Sequence, residues 1–206
     1  MADSMNVAAP RAALAKDAFA RLFDDARTYS GWLPTAVSEA TLRELYDHAR
    51  WGPTAMNGTP GRFLFVSSPA GKARLLPHIY PMNIAKAAAA PVTVIVARDT
   101  RFFEEGDTFF PDRAAQIKSM DPTAPMVREI AARGATLQGA YLILSARAAG
   151  LDCGPMSGFN APTLNAEFFP DGRFEADFLI NIGQGDPASL MPRNPRLSFE
   201  QACQIL

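Results

Sequence analysis

Arg27 and Thr28 stand together in Ala26-Arg-Thr-Tyr-Ser-Gly-Trp32, at the end of the first helical pattern of the chain. A guanidinium beside a hydroxyl can make charge-assisted hydrogen bonds to a phosphate; a solvated arginine near a helix C-terminus is the plainer alternative. A second stretch, Gly52-Pro-Thr-Ala-Met-Asn-Gly-Thr-Pro60, joins a helical pattern to a strand pattern. Asn57-Gly58 is a strong turn dipeptide, and the same Asn57 amide offers donors and an acceptor to a planar heterocycle. The third stretch, Gly150-Leu-Asp-Cys-Gly-Pro-Met-Ser-Gly-Phe159, carries three glycines and a proline. Read as a loop, it exposes successive backbone N–H groups and lets a ring or anion approach closely; read plainly, it is an elaborate helix C-cap.

Other chemistries lack their residues. Gly154-Pro-Met-Ser-Gly158 looks like a hydrolase elbow, but that motif needs glycine at position 155, where Pro155 sits. Only His48 and His78 are available to a Ser-His-Asp triad or a His/Cys metal site, and both fall on helical patterns. Gly183-x-Gly185 follows a strand as a dinucleotide loop would, yet its third glycine is missing at Ala188, and Pro187 and Pro192 preclude the crossover helix. No Walker loop is present.

Charge narrows the partners. With 20 Lys+Arg against 21 Asp+Glu, the chain lacks the basic surplus of a nucleic-acid or anionic-membrane binder. Any anion site must be local. Cys153 and Cys203 have no metal spacing and read as reduced thiols, which favours a reducing compartment. Met1 to Pro10 carries Asp3 and no apolar core of a signal peptide, and the longest apolar stretch, Ala87 to Ala97, is too short to span a bilayer. These features imply a cytoplasmic location.

The elements that must position the three stretches follow from periodicity. Residues 1–10 read as a loose tail, and from Arg11 a helical period places Leu14, Ala18, Leu22 and Phe23 on one face. Ser38 caps a helix bearing Leu42, Leu45, Tyr46 and Ala49, which ends at Trp51-Gly52-Pro53. Arg62–Ser68 is a strand, a short helix runs from Ala70 to Pro77, and Ala85–Ala90 is helical. Pro91–Ala97 and Phe178–Ile182 are strands apolar enough to be buried on both faces. The stretch from Asp99 to Pro125 reads as an irregular, aromatic-rich insertion, a lid or partner-contact element. Val127–Ala149 is the longest helical pattern, with Gly150 as its natural C-cap and a small-residue face suited to packing on a partner helix. Ser198-x-x-Gln201 is a capping box. Helices flanking a few apolar strands give an α+β domain with no internal repeat.

Taken in order, the three stretches resemble the nitroreductase family of flavoproteins, over nearly the whole chain from about Phe19. The resemblance implies one domain over 19–206 behind an extension over 1–18, with a central mixed or antiparallel sheet flanked by helices. In that family an Arg-Arg-Ser-x-Arg motif and a C-terminal basic residue hold the FMN phosphate. Here Arg27 and Thr28 match, Ala26 and Ser30 replace two basic positions, and Arg196 in Pro-Arg-Leu-Ser-Phe-Glu is the C-terminal match. Pro53 to Gly61 matches the family's Pro-Ser-x-x-Asn-x-Gln-Pro-Trp with the Gln and Trp lost, so Asn57 inherits a flavin contact. Gly-Leu-Asp-x-x-Pro-x-x-Gly-Phe is kept from Gly150 to Phe159, which puts Pro155, Met156, Ser157 and Gly158 at the flavin, the last two with N–H groups toward N5 and O4.

The resemblance implies an FMN-dependent oxidoreductase supplied by NADH or NADPH, a small-molecule substrate, and a homodimer with FMN at its interface. No side chain is expected as catalytic acid or base, since the flavin carries the chemistry. More narrowly, the motifs are similar to the malonic semialdehyde reductase branch, which implies reduction to 3-hydroxypropionate with Arg101, Arg113 or Arg128 reading the substrate carboxylate. A broad nitroaromatic or quinone reductase and a flavin-binding protein without turnover are the alternatives.

Overall fold

The computed structural model describes residues 12–206; the expectations for residues 1–10 lie outside them. The sheet forms where the sequence is richest in β-branched and apolar residues. β1 (Gly61–Val66), β2 (Val92–Asp99), β3 (Asp152–Met156) and β4 (Phe174–Gly183) pair antiparallel in the order β1-β2-β4-β3. β2 and β4 are therefore central, and both bury two faces, as their apolar runs require.

The period of two divides the core. Val92, Val94 and Val96 of β2 and Ile180 and Ile182 of β4 pack beneath α2 (Glu39–Ala49) and the long α7 (Pro125–Ala148). Ile95, Ala97 and Leu179 face the other way, onto α3 (Pro69–Leu75), α4 (Pro81–Ala89) and α8 (Ala161–Phe168). The result is the expected α+β architecture, an antiparallel sheet between helices. Among the described residues no helix is long and apolar enough to cross a membrane.

Four expectations are corrected. The stretch 150–159 is not a loop throughout: Gly150 turns the chain at φ +81°, and Asp152–Met156 then pairs along β4. Pairing supplies what local propensity does not. The insertion over 99–125 is not irregular; it folds into short helical turns, including α5 (Gly106–Phe109) and α6 (Ala114–Lys118), around buried Phe102, Phe103 and Ile117. The first helix, α1 (Lys16–Leu22), begins later than expected and has no buried residue. Finally, the small-residue face of α7 packs inward. A Cβ on Gly139 would come within 2.5 Å of Phe178, and one on Gly134 within 2.6 Å of Pro60, so these glycines admit the chain's own sheet and loop rather than a partner helix.

Candidate functional site

The edge strand β3 organises the site. Its outer edge is met by the segment after α1: Thr28 bridges Cys153, and Tyr29 N–H donates to the Cys153 carbonyl at 3.1 Å. Close approach here depends on absent side chains. A Cβ on Gly154 would lie 2.5 Å from the Tyr29 carbonyl oxygen, and one on Gly185 would lie 2.1 Å from the Tyr29 ring. Trp32 bridges Gly185, and Asp186 N–H donates to the Gly31 carbonyl, so residues 28–32 are stitched to both β3 and the turn after β4.

The chain beyond that turn folds back over the same segment. Arg193 Nη2 donates to the carbonyls of Asp24 and Ala26 at 2.7 and 2.9 Å, and Arg27 Nη2 donates to the Met191 carbonyl at 2.5 Å. Between them lies a cavity of about 420 Å³ whose lining includes Arg27, Thr28, Ser30, Arg147, Arg193 and Arg196. Arg27 and Thr28 thus share one cavity with Arg196, 168 residues beyond Thr28 along the chain.

The partners of these arginines decide what the cavity wants. Arg147 Nη1 donates to the Leu22 carbonyl at 2.9 Å, and Arg196 Nη1 to the carbonyls of Asn194 and Pro195. Among the described residues, all four guanidinium groups find backbone carbonyls and none has a carboxylate within 4.0 Å. Several arginines elsewhere are ion-paired: Arg74 meets Glu167 at 2.6 Å, Arg98 meets Glu175 at 2.5 Å, and Arg62 and Arg173 converge on buried Asp99, whereas Arg128 bonds only the Pro122 carbonyl. Four cations without a carboxylate partner around one cavity, in a chain of net charge −1, make a local positive surface of the kind that favours an anion.

At the far end of β3 the chain leaves the sheet through Ser157 and Gly158. Among the described residues, neither N–H has an acceptor, while the Gly158 carbonyl takes the Tyr80 N–H at 3.0 Å. Asn83, near the start of α4, lies so close that a Cβ on Gly158 would fall 2.2 Å from its amide nitrogen. Lys86 Nζ donates to Asn83 Oδ1 at 3.2 Å, so an amide and an ammonium group stand beside the free N–H groups. Pro155 and Ser157 are exposed and Met156 is half-buried.

Asn57 is elsewhere. Its Nδ2 donates to the Phe109 carbonyl at 2.9 Å, which ties the turn before β1 to the helical insertion. Met56, Asn57 and Thr59 all have positive φ, a conformation Asn tolerates but Met and Thr rarely adopt, so the turn is tightly wound. Of the arginines suggested for a substrate carboxylate, Arg101 and Arg128 line one cavity of about 360 Å³, whereas Arg113 stacks on Phe110, 5.5 Å from its ring centre.

Nucleophilic alternatives fall away. Burial pushes the Cys153 thiol up to about 12, so it stays protonated and inert. His48 is an exposed helix residue beside Glu44, and His78 hydrogen-bonds Thr163 Oγ1 at 2.9 Å at the end of a helical turn. Among the described residues no group of three or more His, Cys, Asp or Glu could hold a metal ion.

Sequence reasoning missed Arg147, Arg193, Asn83 and Lys86. The first two carry no local signal, because their place in the cavity depends on contacts made across the whole chain. Asn83 and Lys86 share one helix three residues apart, a spacing that puts both on one face, yet nothing nearby marked that face as functional.

Comparison with known proteins agrees with this architecture. The model of the nitroreductase family matches residues 25–171. A protein of Rhodopseudomonas palustris (strain TIE-1), provisionally named an NADH dehydrogenase/NAD(P)H nitroreductase, is 52% identical over 187 residues, 90% of this chain and 94% of that protein. The crystal structure of the provisionally named nitroreductase ydfN from Bacillus subtilis superposes with a TM-score of 0.83 at 21% identity, covering 91% of this chain and 98% of that one. A provisionally named nitroreductase of Exiguobacterium sibiricum 255-15, solved in complex with FMN, gives 0.80 at 18% identity, with 91% and 97% covered. On its fold, its edge-strand site and these matches, the chain belongs to the nitroreductase family.

Proposed function

We propose that this protein is an FMN-dependent oxidoreductase that takes reducing equivalents from NADH or NADPH and passes them to a small acceptor. One observation carries the reading: an arginine cavity without carboxylates at one end of β3, and free N–H groups at the other. From Cys153 to Ser157 the strand advances about 13 Å, which suits a flat ring with a phosphate tail. Arg27, Thr28 and Arg196 hold the phosphate; Pro155 and Met156 line the ring; the N–H groups of Ser157 and Gly158 face its working edge, where they stabilise negative charge. Asn83 and Lys86 add donors beside that edge. FMN, when bound, supplies the hydride chemistry; the chain's residues orient it and tune its charge.

The reading includes a homodimer. β1 and β3 are opposite edges of the sheet with two strands between them, a separation of about 14 Å. Asn57 precedes β1 and Ser157 follows β3, on opposite edges, so in this reading Asn57 serves the flavin held on the β3 of a second copy. The protein also leaves Leu137, Tyr141, Leu197 and Phe199 exposed, apolar side chains suited to such a contact. One domain over 19–206 behind an extension, and a cytoplasmic location with both cysteines reduced, complete the reading.

The decisive measurement is the absorption spectrum of flavin-supplemented protein before and after anaerobic NAD(P)H. We expect a bound-flavin band that bleaches. A protein that retains no flavin overturns the proposal, and a flavin that stays oxidised reduces it to binding without turnover. The finer substrate reading, malonic semialdehyde reduced to 3-hydroxypropionate, rests on the motif resemblance and on Arg101 and Arg128 sharing a cavity. Rates on that aldehyde that exceed those on nitroaromatic acceptors support it; the reverse order favours a broad nitroreductase.

A further inference from the structure

The arginine cavity holds more positive charge than the sequence motif supplied. Ala26 and Ser30 removed two basic positions from the N-terminal motif, yet the cavity wall includes Arg147, contributed by the last turn of α7. This side chain is unusual in three respects. Its Nε is buried with no hydrogen-bond partner, whereas a buried guanidinium N–H ordinarily finds an acceptor. Its only acceptor among the described residues is the Leu22 carbonyl, which engages Nη1 and leaves Nη2 unbonded. It also lies between two cavities, the second lined by Asp17, Asp25 and Asp152, and still forms no ion pair with any of them.

We propose that Arg147 is a further phosphate-holding residue, whose guanidinium forms one wall of the Arg27–Arg196 cavity and donates to an oxygen of the FMN phosphate. The inference rests on the FMN reading above and deepens it: the site selects a phosphate monoester, and charge missing from the motif is restored from the end of α7. Burial shuts Nε off from the cavity, so the donor left for an oxyanion is Nη2, on the same planar group that Nη1 fixes to the Leu22 carbonyl. Arg147 also suits this task better than lysine, since a planar fork can hold the Leu22 carbonyl with one nitrogen and an oxyanion with another.

The test compares two flavins that differ only in the phosphate. Flavin-stripped full-length protein is titrated with FMN and with riboflavin, followed by quenching of flavin fluorescence, for wild type, Arg147→Met and Arg147→Lys. We expect Arg147→Met to lose roughly tenfold or more in FMN affinity while its riboflavin affinity is unchanged. Arg147→Lys keeps the charge without the fork and should fall between the two. Should Arg147→Met fail to fold, the ratio of FMN to riboflavin affinity in Arg147→Lys decides. A ratio equal to wild type in the variants, whether both affinities fall together or neither moves, overturns the proposal and leaves Arg147 as a tie to α1. A wild type that binds FMN no better than riboflavin instead overturns the phosphate site itself.

Discussion

At the scale of single residues, the protein spends its buried charges in two different ways. Asp99, nearly inaccessible, is met by Arg62 at 2.8 Å and Arg173 at 3.1 Å, a compensated cluster that holds the start of the insertion. Lys72 is the contrasting case. Its Nζ donates to the Ala87 carbonyl and to Thr93 Oγ1, both at 2.6 Å, and the Thr93 hydroxyl in turn donates to Asn181 Oδ1 at 2.7 Å. Every partner is neutral, and burial lowers the ammonium from 10.5 to about 8. The unfolded chain therefore binds more protons than the folded one between pH 8 and 10.5, so this group destabilises the fold when charged and ceases to do so as pH rises through that window. Urea unfolding at pH 7.5 and pH 10 should show wild type gaining on Lys72→Met by about 2 kcal/mol. Parallel pH profiles for the two proteins would contradict this.

At the scale of elements, legibility in the sequence tracks how local each element's cause is. The capping box at Ser198 is present as read, because both of its bonds span three residues. The same holds for the Ser38 cap, the turn at Gly150 and the apolar strands β2 and β4. β3 was not legible: Asp-Cys-Gly-Pro-Met has poor strand propensity, and it is extended because β4 needs a neighbour. The insertion escaped because its helices run four or five residues, too short for a 3.6-residue period to register. α1 misled in the opposite sense, since Leu14, Phe19 and Phe23 are apolar and yet remain exposed. The insertion offers its own test. Phe102 is fully buried there beside Phe103, Ile117, Val127 and Ala131. Truncation in Phe102→Ala should cost about 3–5 kcal/mol in denaturant unfolding. A loss below about 1 kcal/mol would return the segment to the status of a loose lid.

At the scale of the molecule, Arg27 beside β3 and Asn57 before β1 lie at opposite edges of one sheet, and that separation makes a prediction that depends on assembly. If Arg27 acts within its own protomer and Asn57 reaches across to its partner's flavin, the two defects can be segregated. Arg27→Ala damages both sites of a homodimer, and so does Asn57→Ala. In a mixed dimer, one site receives both defects and the other receives neither, because a symmetric interface gives each site one contribution from each chain. Random exchange between the two variants should therefore restore about a quarter of the sites to full FMN binding. Were both residues to serve one flavin from the same chain, every site in the mixture would keep one defect, and mixing would restore nothing. Titration of the exchanged mixture with FMN, against each variant alone, reads the difference directly: a fraction of sites at wild-type affinity means assembly across the dimer, and a uniform weak population means that Asn57 has no part in a shared site.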